Sequence, residues 1–398
     1  MAGQLAVALR VDAGPGVGLG HLFRCAALGE VLQRVWGADV TALVMSPLEE
    51  VPPAVGDLAA RLFPHVVWLD SRRPRWLPAG GWDTEQGAWY GWRVEHRGRD
   101  WQRLIVVDRA DYRVPPLWGE AMWTTAAERE VLAAFVDDLA PGGPLDVAIN
   151  PNAAWAVTDW SRLDKRAEVL AGPRFACLWH PPRYEGREWL WAPRTLLVTL
   201  GGSDPHGETA AVVRKLAPLL TGPRGQGGCG WAYGQVDIVL GPAMVAADQA
   251  DVHDAVNRLR GVAGGVLRVH EQVQGLGPLI EAADVAISAG GGTLVELACG
   301  GVPALVLPQT PAEVTHAWAL ERAGTCVVTT LEALVGDLVR LVYNAPRRAR
   351  MAAAGWRLVD GGGAARVAAA LVARAQTRER DPAEGAAGRT GGGNDGRG

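Results

Sequence analysis

A chain of 398 residues with 48% apolar and 21% charged residues is a globular protein too long for one core, so two domains are expected. The formal net charge of −4 is spread without a basic stripe, which argues against nucleic acid as a partner, and no apolar run reaches membrane-spanning length. The N-terminus lacks the basic-then-apolar layout of a signal peptide, so a cytoplasmic location is expected.

Along the first half, short apolar runs alternate with amphipathic segments. Strands are predicted over residues 5–9, 40–45, 66–69, 104–107, 131–136 and 147–149, with helices such as 22–35 and 55–62 between them. This is the rhythm of a parallel sheet with crossover helices. The stretch from Ser71 to Asp100, a mixture of Pro, Gly, Trp and charge, breaks it and reads as an inserted excursion over a cleft. A second alternation places strands over 195–200, 236–240, 266–269, 285–288, 304–307 and 326–328, separated by helices over 208–220, 276–283, 294–299 and 311–322. After the turn at 360–363 another helix starts. The expected organisation is an N-terminal domain over 1–172, a Pro-, Trp- and Arg-rich linker over 173–194, a C-terminal domain over 195–376 and a disordered tail over 377–398. Two Rossmann-like, doubly wound parallel-sheet domains facing a cleft make this an α/β protein of GT-B architecture, expected to act as a monomer.

Three places combine residues that bear chemistry. The strand over 5–9 runs into Arg10 and Asp12, then a glycine-rich turn ending at Gly20, with His21 and Arg24 opening a helix. Backbone amides at such a turn bind a phosphate or a polarised water. The positive end of the helix dipole there disfavours imidazolium, so a neutral His21 is placed to take a proton from water or a hydroxyl. The alternative is that His21 only caps the helix or packs beneath its loop. Asp108, Asp137-Asp138 and Asn150-Pro151-Asn152 each follow a predicted strand of the same half, at the edge where open α/β sheets bind ligands. Singly each is an ordinary turn residue; together they are candidates for sugar or acceptor contacts. In the second half, Gly201-Gly202-Ser203-Asp204 and Gly291-Gly292-Thr293 let backbone amides approach a diphosphate with no Cβ in the way. Glu296, one turn into the following helix, is placed to accept from ribose hydroxyls, or is a solvated first-turn carboxylate. The five cysteines (Cys25, Cys177, Cys229, Cys299, Cys326) form no Cys-x-x-Cys pair and read as reduced and buried. Cys177 and His180 have metal-ligand spacing but no further ligands nearby, so neither a metal nor another cofactor is expected.

The segments Arg10-Val11-Asp12, Gly20-His21 through Arg24-Cys25, Val136-Asp137-Asp138-Leu139-Ala140, Asn150-Pro151-Asn152, 198–205, 290–303 and 360–367 occur in the order seen in one family. On these motifs the chain resembles the UDP-2,4-diacetamido-2,4,6-trideoxy-β-L-altropyranose hydrolases of pseudaminic acid biosynthesis, which are similar to the GT-B glycosyltransferase that forms lipid II. The likeness spans the chain apart from residues 71–100 and the tail. It implies metal-independent hydrolysis at the anomeric carbon of a UDP-linked amino-deoxysugar, with inversion and release of UDP. By the same resemblance His21 is the general base, the two glycine turns stabilise the leaving diphosphate, and Glu296 holds the ribose. The chain departs from the pattern at Asp108-Arg109-Ala110, where the family carries Asp-His-Tyr or similar and this chain has a tyrosine only at Tyr112. It departs again at Glu313-Val314-Thr315, where Glu-Asn-Gln is expected. Both positions face the sugar in the family. A GT-B glycosyltransferase using His21 on an acceptor hydroxyl, and a UDP-sugar-binding protein without turnover, are the alternatives.

Overall fold

The structure is a computed structural model that describes residues 4–13, 19–45, 53–69, 92, 95–96, 101–108, 130–136, 145–184, 186, 193–221, 234–261, 266–273 and 275–380. It contains two compact units, one drawn from residues 1–179 and 362–398, the other from 180–361.

The first unit is built on β1 (Gln4–Asp12), β2 (Asp39–Met45), β3 (His65–Leu69), β4 (Trp101–Asp108), β5 (Glu130–Phe135), β6 (Val147–Asn150) and β7 (Glu168–Ala171). These form one sheet in the order β3-β2-β1-β4-β5-β6-β7, and every pairing is parallel. β1 is buried from Leu5 to Val11 because the central strand of a parallel sheet is covered on both faces, which is why it reads as an apolar run from Leu5 to Leu9. Between β1 and β2 runs α1 (Gly20–Trp36), which buries Leu22, Cys25, Leu28 and Leu32 on the sheet. It ends at Gly37, whose φ of 63° is the left-handed cap conformation. α2 (Pro53–Leu62) follows β2.

The second unit holds β8 (Thr195–Thr199), α3 (Glu208–Thr221), β9 (Gln235–Val239), α4 (Ala246–Leu259), β10 (Val266–His270), α5 (Gly277–Ala282), β11 (Val285–Ser288), α6 (Gly292–Cys299), β12 (Ala304–Val306), α7 (Pro311–Arg322), β13 (Cys326–Val328), α8 (Leu334–Val342) and α9 (Ala345–Leu358). Its sheet has the order β10-β9-β8-β11-β12-β13, again all parallel. In each sheet the order reverses beside its first strand, between β1 and β4 and between β8 and β11. A crevice at the carboxyl ends of the strands opens at such a switch point.

Every strand expected from the apolar runs is present. The expected domain boundaries need two corrections. The chain passes between units within the expected linker, at Trp179–His180, and returns at Gly361–Gly362. Both crossings carry left-handed backbone, at His180 (φ 48°) and Gly361 (φ 75°). The final helix, α10 (Gly363–Arg380), therefore belongs to the first unit and not, as its position suggests, to the second. Its buried residues Ala364, Val367, Ala368, Leu371, Val372 and Ala375 recur at helical spacing and join the core made by β1, β4 and α1. The tail expected from 377 begins inside this helix; residues 381–398, like most of the excursion 71–100, lie outside the described residues.

Leu371 is fully buried in that core. Leu371→Ala should cost about 2–5 kcal/mol and lower hydrogen-exchange protection in β1 and β4 while leaving β8 and β11 unchanged. Equal loss in β8 and β11 would contradict the assignment of α10 to the first unit.

Candidate functional site

At the switch point of the first sheet, β1 and β4 are paired with Val11 opposite Asp108. Asp108 is fully buried at the carboxyl end of β4, and α1 begins with Gly20 and His21 above it. His21 Nδ1 lies 2.6 Å from Asp108 Oδ1. Arg24 Nη2, a donor only, lies 3.0 Å from the same nitrogen, but the shorter contact is to the carboxylate oxygen, which only accepts; it favours the proton on Nδ1 and leaves Nε2 as an acceptor. The Arg24 guanidinium, one turn further along α1, holds the same carboxylate as a fork, Nε to Oδ2 and Nη2 to Oδ1. Cys25 Sγ donates to Oδ2 at 3.6 Å from beneath.

The charges follow from this packing. Burial by itself would push the Asp108 carboxyl up; the Arg24 guanidinium, with His21 adding to it, holds it instead well below the usual carboxylate range. Burial and the Asp108 charge push the Cys25 thiol far up, and burial pushes Cys177 up to about 12, so neither is a nucleophile. The four described cysteines are all free and buried; Cys229 lies outside the described residues.

Other residues expected at this edge divide into two groups. Arg10 is fully buried, bonds Asp12 and reaches Met45 Sδ at 3.3 Å, which stiffens the end of β1. Asn150 donates to Thr158 Oγ1 at 2.8 Å and accepts from the Asn152 amide at 2.9 Å. Buried, with a bond from each end of its amide, it braces its own loop. The remainder of the turn at 14–18, Asp137-Asp138, Arg109-Ala110 and Tyr112 lie outside the described residues.

At the switch point of the second sheet the two glycine turns are neighbours. The Ala289 amide donates to Thr199 O at 3.3 Å, and a Cβ on Gly201 would sit 4.0 Å from Ala289 Cβ. Gly201 has φ 84°, a conformation open to glycine. Gly202 and Ser203 are exposed. Asp204 is buried, and its carboxylate accepts from the amides of Glu208 at 3.0 Å and Thr209 at 2.9 Å, capping α3. α6 is different. Gly291 sits at its N-cap with no side-chain cap, so the amides of its first turn, at Gly292 and Thr293, have no such partner.

Glu296, one turn into α6, is half-buried, and burial pushes its carboxyl up to about 7. Two buried acceptors stand near these turns in the fold: Ser288 Oγ at the end of β11 and Gln309 Oε1 after β12 have no hydrogen-bond partner among the described residues.

Sequence reasoning missed the brace behind these turns. The Glu313 carboxylate accepts from the amides of Gln309 at 2.7 Å and Gly290 at 3.2 Å. His316 Nδ1 donates to Gly290 O at 2.8 Å, Gln309 Nε2 donates to Glu208 Oε2 at 2.8 Å, and His206 Nε2 donates to Gln309 O at 2.9 Å. Together they tie the loop after β8 to the loop after β11. The legible signal was Thr310-x-x-Glu313, a capping pattern at the start of α7, where Thr310 does accept from the Glu313 amide.

No family model matches the chain. The spore coat polysaccharide biosynthesis protein SpsG of Bacillus subtilis (strain 168) is 31% identical over 212 residues, a match covering 51% of this chain and 58% of that protein. Among solved structures, MurG of Acinetobacter baumannii is similar at 14% identity and a TM-score of 0.58, over 93% of this chain and 99% of that one. UDP-GlcNAc 2-epimerase of Neisseria meningitidis, solved bound to UDP-GlcNAc, is similar at 11% identity and 0.57, over 93% and 100%. The calicheamicin glycosyltransferase CalG4 is similar at 16% and 0.54, over 94% and 98%. Likeness of this extent at this identity establishes the fold: the chain is a GT-B protein.

Because both Asp204 oxygens cap α3, Asp204→Ala should lower stability by about 0.5–2 kcal/mol, with Asp204→Asn recovering most of it in thermal melts.

Proposed function

We propose that this chain hydrolyses a UDP-linked amino-deoxysugar at its anomeric carbon, releasing UDP and the free sugar, with His21 as general base. The observation that carries the reading is the 2.6 Å contact between His21 Nδ1 and the buried Asp108 carboxylate. A histidine anchored through Nδ1 on a carboxylate presents Nε2 in a fixed direction, as in the histidine of hydrolytic triads. Water attacks the anomeric carbon, its proton passes to Nε2, and the bond from that carbon to the β-phosphate oxygen breaks, inverting the carbon. The amides at Gly291, Gly292 and Thr293 and the positive end of α6 stabilise the charge growing on the leaving diphosphate, with no metal in the step. Glu296 accepts from the ribose hydroxyls. The match to a polysaccharide biosynthesis protein and the fold shared with an enzyme solved on UDP-GlcNAc support a sugar nucleotide as the substrate class. The motif order described above supports the narrower pseudaminic acid type.

The second reading is glycosyl transfer, favoured by the fold shared with CalG4. It uses the same histidine to deprotonate an acceptor hydroxyl. A panel of UDP-sugars assayed for UDP separates the two: release without acceptor, persisting in EDTA, supports hydrolysis, and dependence on an added acceptor supports transfer. UDP binding with no release under either condition leaves a sugar-nucleotide binder and overturns both.

His21→Ala should lower UDP release by about 10²- to 10⁴-fold while leaving UDP affinity nearly unchanged. Glu296→Ala should weaken UDP binding by roughly 1–3 kcal/mol by calorimetry. Ribose hydroxyls donate to the ionised carboxylate, whose value in the free protein is about 7. UDP affinity should accordingly rise as pH climbs from 6 to 8, and Glu296→Gln should flatten that slope.

A further inference from the structure

We infer that Arg24 is a positioning residue for His21: it compensates the buried Asp108 charge and holds the carboxylate that orients the ring. The inference rests on the reading of His21 as base. Its geometry is on α1 and β4: Arg24 stands three residues after His21, forks onto both oxygens of Asp108, and brings Nη2 to 3.0 Å from His21 Nδ1. The guanidinium is itself fixed from β5, lying 4.7 Å from the centroid of the Phe135 ring.

A buried carboxylate alone beneath a histidine stabilises the imidazolium and raises the pH at which the ring loses its proton. Here the carboxylate is fully buried, so its charge is poorly screened and the effect would be large. Arg24 opposes it twice. It cancels the Asp108 charge at contact, and its own charge at 3.0 Å disfavours a second positive charge on the ring. The fork also holds the carboxylate plane, which keeps Oδ1 aimed at Nδ1 and preserves the tautomer with Nε2 bare. Among the described residues, the titratable and charged groups on the elements packed near His21 are as follows. Cys25 on α1 and Cys177 near the end of the first unit's initial segment are neutral thiols with raised values. β1 ends in the Arg10–Asp12 ion pair. Among the described residues, Arg24 is the cation bound directly to Asp108 besides His21 itself.

The test compares wild type, Arg24→Gln and Arg24→Lys by NMR titration of the His21 ring, which needs no substrate, and by the pH profile of kcat/KM for UDP release. Loss of the guanidinium leaves Asp108 uncompensated, so Arg24→Gln should move the His21 titration to higher pH. The sign carries into the profile: a base works unprotonated, so the acid limb moves up with it and activity falls more at pH 6 than at pH 8. Arg24→Lys, which returns the charge without the fork, should restore the position of the limb but not the full plateau. An unchanged His21 titration in Arg24→Gln, or a loss of activity equal at all pH values, would overturn the inference and leave Arg24 a merely structural residue. Wild-type turnover in His21→Ala would instead overturn the underlying reading of the base, so the two failures are distinguishable.

Discussion

The first unit depends on one buried negative charge. A carboxylate removed from water is tolerated only when donors surround it, and Asp108 collects them from β4's neighbours: the imidazole of His21, the fork of Arg24 and the thiol of Cys25. All three donors come from the first turns of α1, so the charge fixes where that helix begins and how it is rotated about its axis. Gly29 further along lets α1 sit close on β1, where an added Cβ would come within 3.1 Å of Leu9. Structural necessity and the proposed chemistry therefore share the same atoms. What makes the carboxylate affordable in the fold is also what orients the ring.

The second unit solves a different problem by different means. Glycine turns that expose backbone amides are floppy unless something holds them from behind, and the brace of Gln309, Glu313, His316, His206 and Glu208 does so. Gly290 shows how tight it is: a Cβ there would fall 2.7 Å from Glu313 O. Asp204 caps α3 and so withdraws one helix start from ligand binding, while α6 starts at Gly291 with no side-chain cap. Of two glycine-rich turns that look alike in one dimension, α6 keeps the more open set of donors.

Much of this architecture was legible in one dimension because central parallel strands are buried on both faces and so appear as apolar runs. β7 escaped notice because it is an edge strand of four residues with a mostly exposed pattern. α4 escaped because its first half is polar and its buried residues, Val252, Ala255, Val256 and Leu259, crowd its second half. α9 escaped because its arginines mask a short buried stripe that includes Met351 and Ala352. The site was legible as a set of residues but not as a set of bonds. That His21, Arg24 and Asp108 belong to one strand edge follows from strand order, whereas the meeting of residues 84 and 87 positions apart needs the register of β1 against β4. Asn150 and Asp204 show a different side of the same limit: each accepts from an amide two or four positions along its own chain, bonds that the residue type alone does not announce.

The return of the chain at Gly361–Gly362 has a consequence for biosynthesis. Residues 180–361 are contiguous, so the second unit can complete its core while the remainder is still being translated. The first unit cannot, since α10 is made after the whole of the second unit and supplies part of its interior. Residues up to Ala375 must leave the ribosome before the sheet carrying His21 is fully covered, and until then part of its apolar face stays open to water.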